Sequence, residues 1–434
     1  MRARDLLIDI EPLRTSADFR AIFIARVVSL FGLGMAAVAL SAQVYGLTGA
    51  TFPVAVTSMI MSVTVLLGSL WGGWAADRTD RRRLIIRARA CAALAFAGLA
   101  ANAFLPEPRL WAVFVCVALD GLATGVSVTA LMAVAPTLVR PDQLPAAGAL
   151  ISLTGEIGSI AAPFLGGVLL ALSGPGPVFA VTAVTTGVTT LLLRRVGPLP
   201  PAPREAPGDG VEDDSGSLLA AFRYAARNRV VGGLLALGGV TALFNLPVVL
   251  FPEMVDTRFG GGEVVLGLLY TAPAVGAVLV SATSGWLTRA ARPGRVLLAA
   301  ACTGGLATVG FGLSGQVAVA VVMLAIGGAA GTVHEILEYA LVQHHTPDRL
   351  RGRVVGVLAT QGTTGDVVGD VEVAVVARWF SPAGAAVVNG VVCAGAAVLV
   401  AVCVPGLRRA TLPAPEGPAP AAPDCEQDAV EARP

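Results

Sequence analysis

The chain has 434 residues, 55% hydrophobic and 14% charged, with a net charge of +1. A soluble domain carries about 25% charged residues, so this composition, with a mean hydropathy of +0.76, excludes an ordinary water-soluble globule. The near-zero net charge gives no footing for nucleic acid, and all 30 basic residues are arginine. The six cysteines, Cys91, Cys116, Cys302, Cys393, Cys403 and Cys425, lie mostly inside apolar runs. Their spacing is unpaired, which points away from disulfides and metal sites.

A membrane span needs about 20 apolar residues, and twelve apolar runs are read as spans. The first, Ala21–Leu47, contains a signal-like end at Ser41-Ala42, but the runs behind it make it an uncleaved first helix. Next come Pro53–Ala76, Leu84–Leu105, Leu110–Val139, Ala147–Leu172 and Val178–Leu193. A polar stretch follows: Arg194 to Asp214 is rich in proline, glycine and acids and reads as a flexible linker. From Ser217 to Tyr224 the pattern predicts an amphipathic helix on the membrane surface. Six further spans are expected at Val231–Val255, Val264–Thr288, Val296–Leu313, Val317–Val342, Val354–Phe380 and Ala383–Val404. The tail beyond Arg408 has no apolar face to bury and is expected to be disordered. The predicted organisation is an N-terminal six-span half at 1–193 and a cytoplasmic linker with its amphipathic helix at 194–230. A C-terminal six-span half at 231–405 and a tail at 406–434 complete it.

Arginine orients the chain. The N-terminal arm, Asp77–Arg83, Arg140, the linker, Arg289–Arg295, Arg349–Arg353 and Arg408-Arg409 fall on one side, and Arg109, Arg258 and Arg378 on the other. Short arginine-rich loops stay cytoplasmic, so both termini are expected in the cytoplasm.

Two loops echo one another between the halves. Gly73 with its following arginines corresponds to Gly285 and Arg289–Arg295, at an offset of 212 residues. Pro141-Asp142-Gln143-Leu144 corresponds to Pro347-Asp348-Arg349-Leu350, at an offset of 206. The matching order points to a duplicated six-span unit. The first loop, Gly73-Trp74-Ala75-Ala76-Asp77-Arg78-Thr79-Asp80-Arg81-Arg82, resembles the signature G-x-L-A-D-R-x-G-R-R of the major facilitator superfamily. Ala75 replaces its leucine and Asp80 its second glycine.

That resemblance implies an all-α membrane protein of twelve transmembrane helices in two pseudo-symmetric six-helix halves. It also implies a cytoplasmic gating loop made by Gly73, Asp77, Arg78, Arg81 and Arg82. Asp77 would bind a neighbouring helix end and the arginines would pair across the cytoplasmic face; a role in topology alone stands beside this. On the fifth span, Gly158 to Gly167 is similar to the exporter signature G-x-x-x-G-P-x-x-G-G, with Ala162 in place of the glycine before proline. Pro163 removes a backbone donor and bends the helix, while Gly158, Gly166 and Gly167 permit close packing against the other half.

Further stretches in order, among them Phe19–Arg26, Leu105–Pro108, Asp120-Gly121, Ala291–Gly294 and Thr364–Asp366, resemble the enterobactin exporter family over about 350 residues. That family carries siderophores out of bacterial cells, which implies a bacterial inner-membrane location and a small-molecule cargo.

Ionisable residues inside spans are costly and are functional candidates. Here they are Arg26, Asp120, Glu156, His334, Glu335, Glu338, Asp366, Asp370 and Glu372. At a rise of about 1.5 Å per residue, Glu335 and Asp366 lie roughly 15 and 18 Å from the cytoplasmic ends of their spans, near the midplane. His334 and Glu338, and Asp366 and Asp370, are four apart and share helix faces. A carboxyl in low dielectric that alternates between neutral and charged forms is what a proton-coupled carrier needs, and Asp120, Glu156, Glu335 and Asp366 are the expected carriers. Arg26 reads equally as a snorkelling side chain or a cargo contact, and Arg87 and Arg89 read the same way. No nucleotide-binding loop is present to supply ATP drive, and neither a nucleophile–base pair nor metal-spaced histidines suggest an enzyme.

The expected protein is a monomeric exporter without cofactor, embedded in the lipid bilayer and driven by the proton gradient. Acids outnumber arginines in the membrane interior, which disfavours an anionic catechol and suits a cationic or neutral amphiphile. Multidrug efflux therefore stands beside siderophore export. A membrane sensor or scaffold is the rival class; paired loop signatures and central charges argue against it.

Overall fold

The computed structural model describes residues 17–76, 78–134, 144–194, 223–225 and 227–411, and every regular element among them is a helix. The first six are α1 (Ala17–Thr48), α2 (Thr51–Ala76), α3 (Arg81–Ala103), α4 (Leu110–Val134), α5 (Leu144–Ser173) and α6 (Pro175–Leu193). Then follow α7 (Arg229–Leu243), α8 (Phe251–Arg258), α9 (Glu263–Thr283) and α10 (Pro293–Leu313). The last are α11 (Val317–His345), α12 (Asp348–Ala377), α13 (Pro382–Cys403) and the short α14 (Pro405–Arg409). Ten segments are long and apolar enough to cross a membrane, with α7 through α8 counted as one. α5 contributes a shorter apolar stretch, Ile157–Ser173.

Helix ends follow local chemistry. The Asp80 carboxylate caps α3 by accepting from the Arg82 backbone N–H at 2.9 Å, and Asn228 caps α7 through Val230 and Val231. Gly174, at φ 76°, turns the chain between α5 and α6, and Pro175 opens the next helix.

Two of the expected spans are found but are not α-helical throughout. The seventh, Val231–Val255, lies within the crossing Arg229–Arg258, in which α7 stops at Leu243. Residues 244–247 are irregular and Val248–Leu250 forms a 3-10 turn before α8. Pro247 is the cause: it lacks a donor and disfavours helical backbone at Leu246. The Asn245 side chain takes up the freed Leu246 N–H at 2.7 Å. The eighth span, expected to reach Thr288, is α-helical only to Thr283 and tightens into a 3-10 turn over Ser284–Arg289.

Helices α1–α6 pack chiefly on one another, as do α7–α13, and the pairs α5 with α9 and α2 with α12 join the two groups. At one end a single buried core draws on both groups, including Val38, Phe96, Phe179, Phe251, Leu269 and Phe311. At the arginine-rich end there are two separate cores. One holds Ala25, Ile85 and Leu193; the other holds Leu234, Leu297 and Leu341. The molecule is therefore joined at one end and parted at the other, with small residues making the joint. Gly267 packs on Gly167, where an added Cβ would lie 2.9 Å from the Gly167 Cα and 3.0 Å from the Pro163 carbonyl oxygen.

Polar ties cross the same end. The Tyr45 hydroxyl donates to Asp256 at 3.2 Å, the Thr51 hydroxyl donates to Glu253, and the Arg378 guanidinium stacks 4.7 Å over the Phe52 ring.

Several expectations fall on residues outside the described set: Asp77, the loop Pro141-Asp142-Gln143, most of the linker with Ser217–Phe222, and the tail beyond residue 411. The Glu156, Arg289 and Arg349 side chains also lie outside it.

Candidate functional site

Among the described residues, three polar features stand out in the membrane interior. The largest is a cavity of about 300 Å³ between the two helix groups. Its walls come mainly from α1, α2, α3, α4 and α6, closed by Val248 and Val249 from the α7–α8 break, Tyr270 from α9 and Asp370 from α12. Its surface is mostly apolar, with Phe96 and Phe179, and carries the hydroxyls of Ser41, Thr57, Ser58, Ser62 and Tyr270. Two carboxylates reach it, Asp120 and Asp370.

Asp120 is only 5% exposed. Thr124, one turn along α4, bonds the carboxylate, while Oδ1 has no partner. The compensating charge is Arg89 of α3. Its guanidinium donates to Ser29 of α1 at 2.5 Å and to Ser127 of α4 at 3.1 Å. A fork with two hydroxyl acceptors holds an arginine in place inside the bundle. Arg26, an expected site residue, is exposed on α1 and within electrostatic reach of Arg89. On the opposite wall Asp370 is bonded by Ser58 across the interface, and Tyr270 is bonded to Ser41.

The second feature, about 220 Å³, lies at the α7–α8 break and shares Val248 and Asp370 with the first. Asp366 and Asp370 both line it, as their four-residue spacing predicts. Asp366 accepts from Asn245 Nδ2 at 3.2 Å; it meets this amide of the break, whereas Glu335 stands exposed on α11. By their expected depths Glu335 and Asp366 could meet near the midplane, whereas in the structure Asp366 is hydrogen-bonded to Asn245. Depth alone does not fix the direction in which a helical side chain points.

The third feature is enclosed in the second helix group. His334 Nε2 lies 3.6 Å from Glu338 Oε2 and 3.1 Å from the Thr241 hydroxyl. Both residues are over nine-tenths buried. Glu338 Oε1 packs where a Cβ on Gly238 would stand, so a side chain at Gly238 would displace the Glu338 carboxylate. Glu372 is half-buried on α12, with one carboxylate oxygen lacking a partner.

The predicted gating loop makes local ties. Arg78 donates to the Trp74 carbonyl at 3.1 Å and stacks 4.4 Å over its ring. Arg81 Nε reaches the Ala76 carbonyl at 3.4 Å. Arg82 donates to the carbonyl of Arg194 at the end of α6, so the loop ties α2 and α3 to α6 within the first group. Gly73 faces Thr129 with room for a side chain.

In the bend motif, Gly158 packs on Leu30, Gly166 on the Met35 backbone, and Gly167 on Gly267 across the interface, around Pro163 inside α5. Ala162, which stands in the motif's glycine position, is accommodated by Gly34 on α1.

Tyr270, Asn245 and Asn389 are the site residues that sequence reasoning missed; Arg89, read as a snorkelling side chain or a cargo contact, is held inside the bundle by Ser29 and Ser127. Arg89 lies eight residues inside α3, too deep to snorkel as readily as Arg81 or Arg82. Asn245 carries a second signal: it stands two residues before a proline inside a membrane-length run.

The sequence matches the profile of the Major Facilitator Superfamily over residues 22–370 and again over 249–423. It is 34% identical over 416 residues to Enterobactin exporter EntS of Citrobacter koseri, covering 96% of this chain and 98% of that protein. It is 34% identical over 390 residues to Enterobactin exporter EntS of Escherichia coli, covering 90% and 92%. Among solved structures, a peptide transporter POT superimposes with a TM-score of 0.72 at 13% identity, covering 91% of this chain and 96% of the other. Nucleoside transporter NupG does so with a TM-score of 0.68 at 13% identity, covering 90% and 99%. At such identities these two likenesses concern the fold alone.

Proposed function

This chain belongs to the major facilitator superfamily, and from that premise we propose that it exports a siderophore or related hydrophobic natural product by alternating access, in exchange for protons. The observation that carries the cargo class is the 34% identity to the enterobactin exporters, spread over nearly the whole of both proteins. The architecture supports the cycle. The cavity lies between helix groups that share a core at one end and are parted at the arginine-rich end. With the arginine-rich end in the cytoplasm, this reading makes the arrangement an inward-facing one in a bacterial inner membrane. The exporter works as a monomer, since one chain supplies both halves of the cavity.

Proton exchange is supported by the acids. Asp120 and Asp370 line the cargo cavity from opposite helix groups. A carboxyl that is neutral while the cavity is dry and charged while it is hydrated links proton movement to the change of access. Asp120, with Arg89 behind it, is the leading carrier. Glu338 lies in an enclosed site and Glu335 on an exposed face, so both are secondary candidates.

The test is uptake of an apo-siderophore panel from the medium into everted vesicles, whose cytoplasmic face is outermost. Wild type exports in response to an imposed pH gradient. Asp120→Asn loses most of the pH dependence while still binding cargo. Unchanged pH dependence in Asp120→Asn and in Asp370→Asn would exclude both from the coupling. A second reading, efflux of cationic or neutral amphiphilic drugs, is favoured by a cavity lined with acids and no arginine among the described residues. A cationic-dye panel run beside the siderophores separates the two.

A further inference from the structure

The pocket at the α7–α8 break has a chemistry distinct from the larger cavity it joins. Its lining, among the described residues, includes two carboxylates, Asp366 and Asp370, two amides, Asn245 and Asn389, and no arginine or histidine. Asn389 of α13 is 3% exposed. Its Nδ2 donates to the Asn245 carbonyl at 3.4 Å, while its Oδ1 has no partner. Asn245 spends its own Nδ2 on Asp366.

Irregular backbone inside a membrane is tolerated where it lines a cavity, and here it also ends α7, whose last carbonyls and negative dipole end fall at the pocket. The pocket therefore presents carboxylate, amide and helix-end carbonyl acceptors, and each of its two amide nitrogens already donates one hydrogen bond within the protein. A buried amide oxygen without a donor is costly, so the missing group is a donor.

A volume of about 220 Å³ is far larger than a dry metal ion requires. It adjoins the cavity of about 300 Å³, which is mostly apolar, and shares Val248 and Asp370 with it. A group that carries positive charge and several donors, yet is tethered to a larger body, fits both spaces. A primary ammonium has three donors and no acceptor.

We infer that the pocket at the α7–α8 break binds a protonated primary amine of the cargo, with the cargo's apolar body in the larger cavity. The substrate class is then a siderophore with an ammonium-bearing arm and uncharged chelating groups. This rests on reading the two joined cavities as the cargo site. Asp366 and Asp370 hold the ammonium charge, and Asn389 Oδ1 with the terminal carbonyls of α7 takes its N–H groups.

The test uses the full-length protein in nanodiscs and two probes that differ in one charge. These are desferrioxamine B, a linear trihydroxamate with one terminal amine, and its N-acetyl derivative. Binding is measured for both by calorimetry in choline chloride and in sodium chloride. Wild type is expected to bind the amine about tenfold more tightly than the acetylated compound. That ratio falls to near one in Asp366→Asn, with affinity for the acetylated compound retained. Asn389→Leu narrows the ratio in the same direction and serves if the first variant fails to fold.

Equal affinities in wild type, no binding of either probe, or a ratio that survives both substitutions would overturn the assignment. A pocket for a free alkali cation would instead give equal affinities that both rise with sodium, and that outcome overturns it too. Export of a catechol siderophore is measured in parallel. Its success beside a ratio of one leaves the export reading standing and removes only the amine pocket.

Discussion

Arg89 shows how one residue changes meaning once its neighbours are known. In the sequence it is one of several arginines near a helix start, yet in the structure it donates to Ser29 and Ser127 and lies within electrostatic reach of Asp120. A positive charge held near a buried carboxylate favours its charged form. Arg89→Leu is therefore expected to lower export at least about tenfold without blocking membrane insertion. Arg89→Lys keeps the charge but loses the two-serine fork, and should recover only part of the loss. Initial rates in everted vesicles, normalised to inserted protein, check both. A lysine variant equal to wild type would reduce Arg89 to a point charge. The acids were legible because any ionisable group in lipid stands out; which of them meet was not, because Glu335 and Asp366 reach similar depths on helices rotated differently.

At the scale of elements, two helices carry the functional geometry: α5 through close packing and α7 through its break. Gly167 and Gly267 bring α5 and α9 together at the joined end. A leucine at Gly267 meets the Gly167 backbone and the Pro163 carbonyl with no flexible atom to yield. Gly267→Leu should part the halves at this end. The expected readout is a rise in labelling of a cysteine placed at Val54 by an impermeant maleimide added from the extracellular side. Unchanged labelling would mean that α5 and α9 accommodate the side chain by sliding. The bend motif is visible in the sequence as glycines around a proline, and its partner α9 is not, since Gly267 lies about 100 residues away and carries no signature. The α7 break was marked by Pro247, but an apolar run on both sides reads as one span when only length and hydropathy are weighed.

For the whole molecule, the balance between the two ends decides which side of the membrane sees the cavity. Here the far end is tied by Tyr45 with Asp256 and Thr51 with Glu253. Hydrogen bonds of this kind contribute about 1 kcal/mol each, so Glu253→Ala with Asp256→Ala, which removes both acceptors, should raise the opposite state severalfold. Spin labels across each end, read by pulsed dipolar spectroscopy, are expected to show longer distances at the far end and shorter ones at the arginine-rich end. No change in either would place the balance in the shared apolar core instead.

By itself the sequence determined the solvent, the all-helical membrane class, the repeated arginine loops and the family. Each of these follows from composition or from short contiguous motifs, which are properties of neighbours along the chain. Only the tertiary structure decided that Asp120 and Asp370 face one cavity, that Arg89 backs Asp120, and that Asp366, Asp370 and Asn389 converge on the break in α7. Those meetings depend on helix rotation and on close approaches through glycine, and a membrane helix that is apolar all round leaves no stripe in the sequence to show which way it turns.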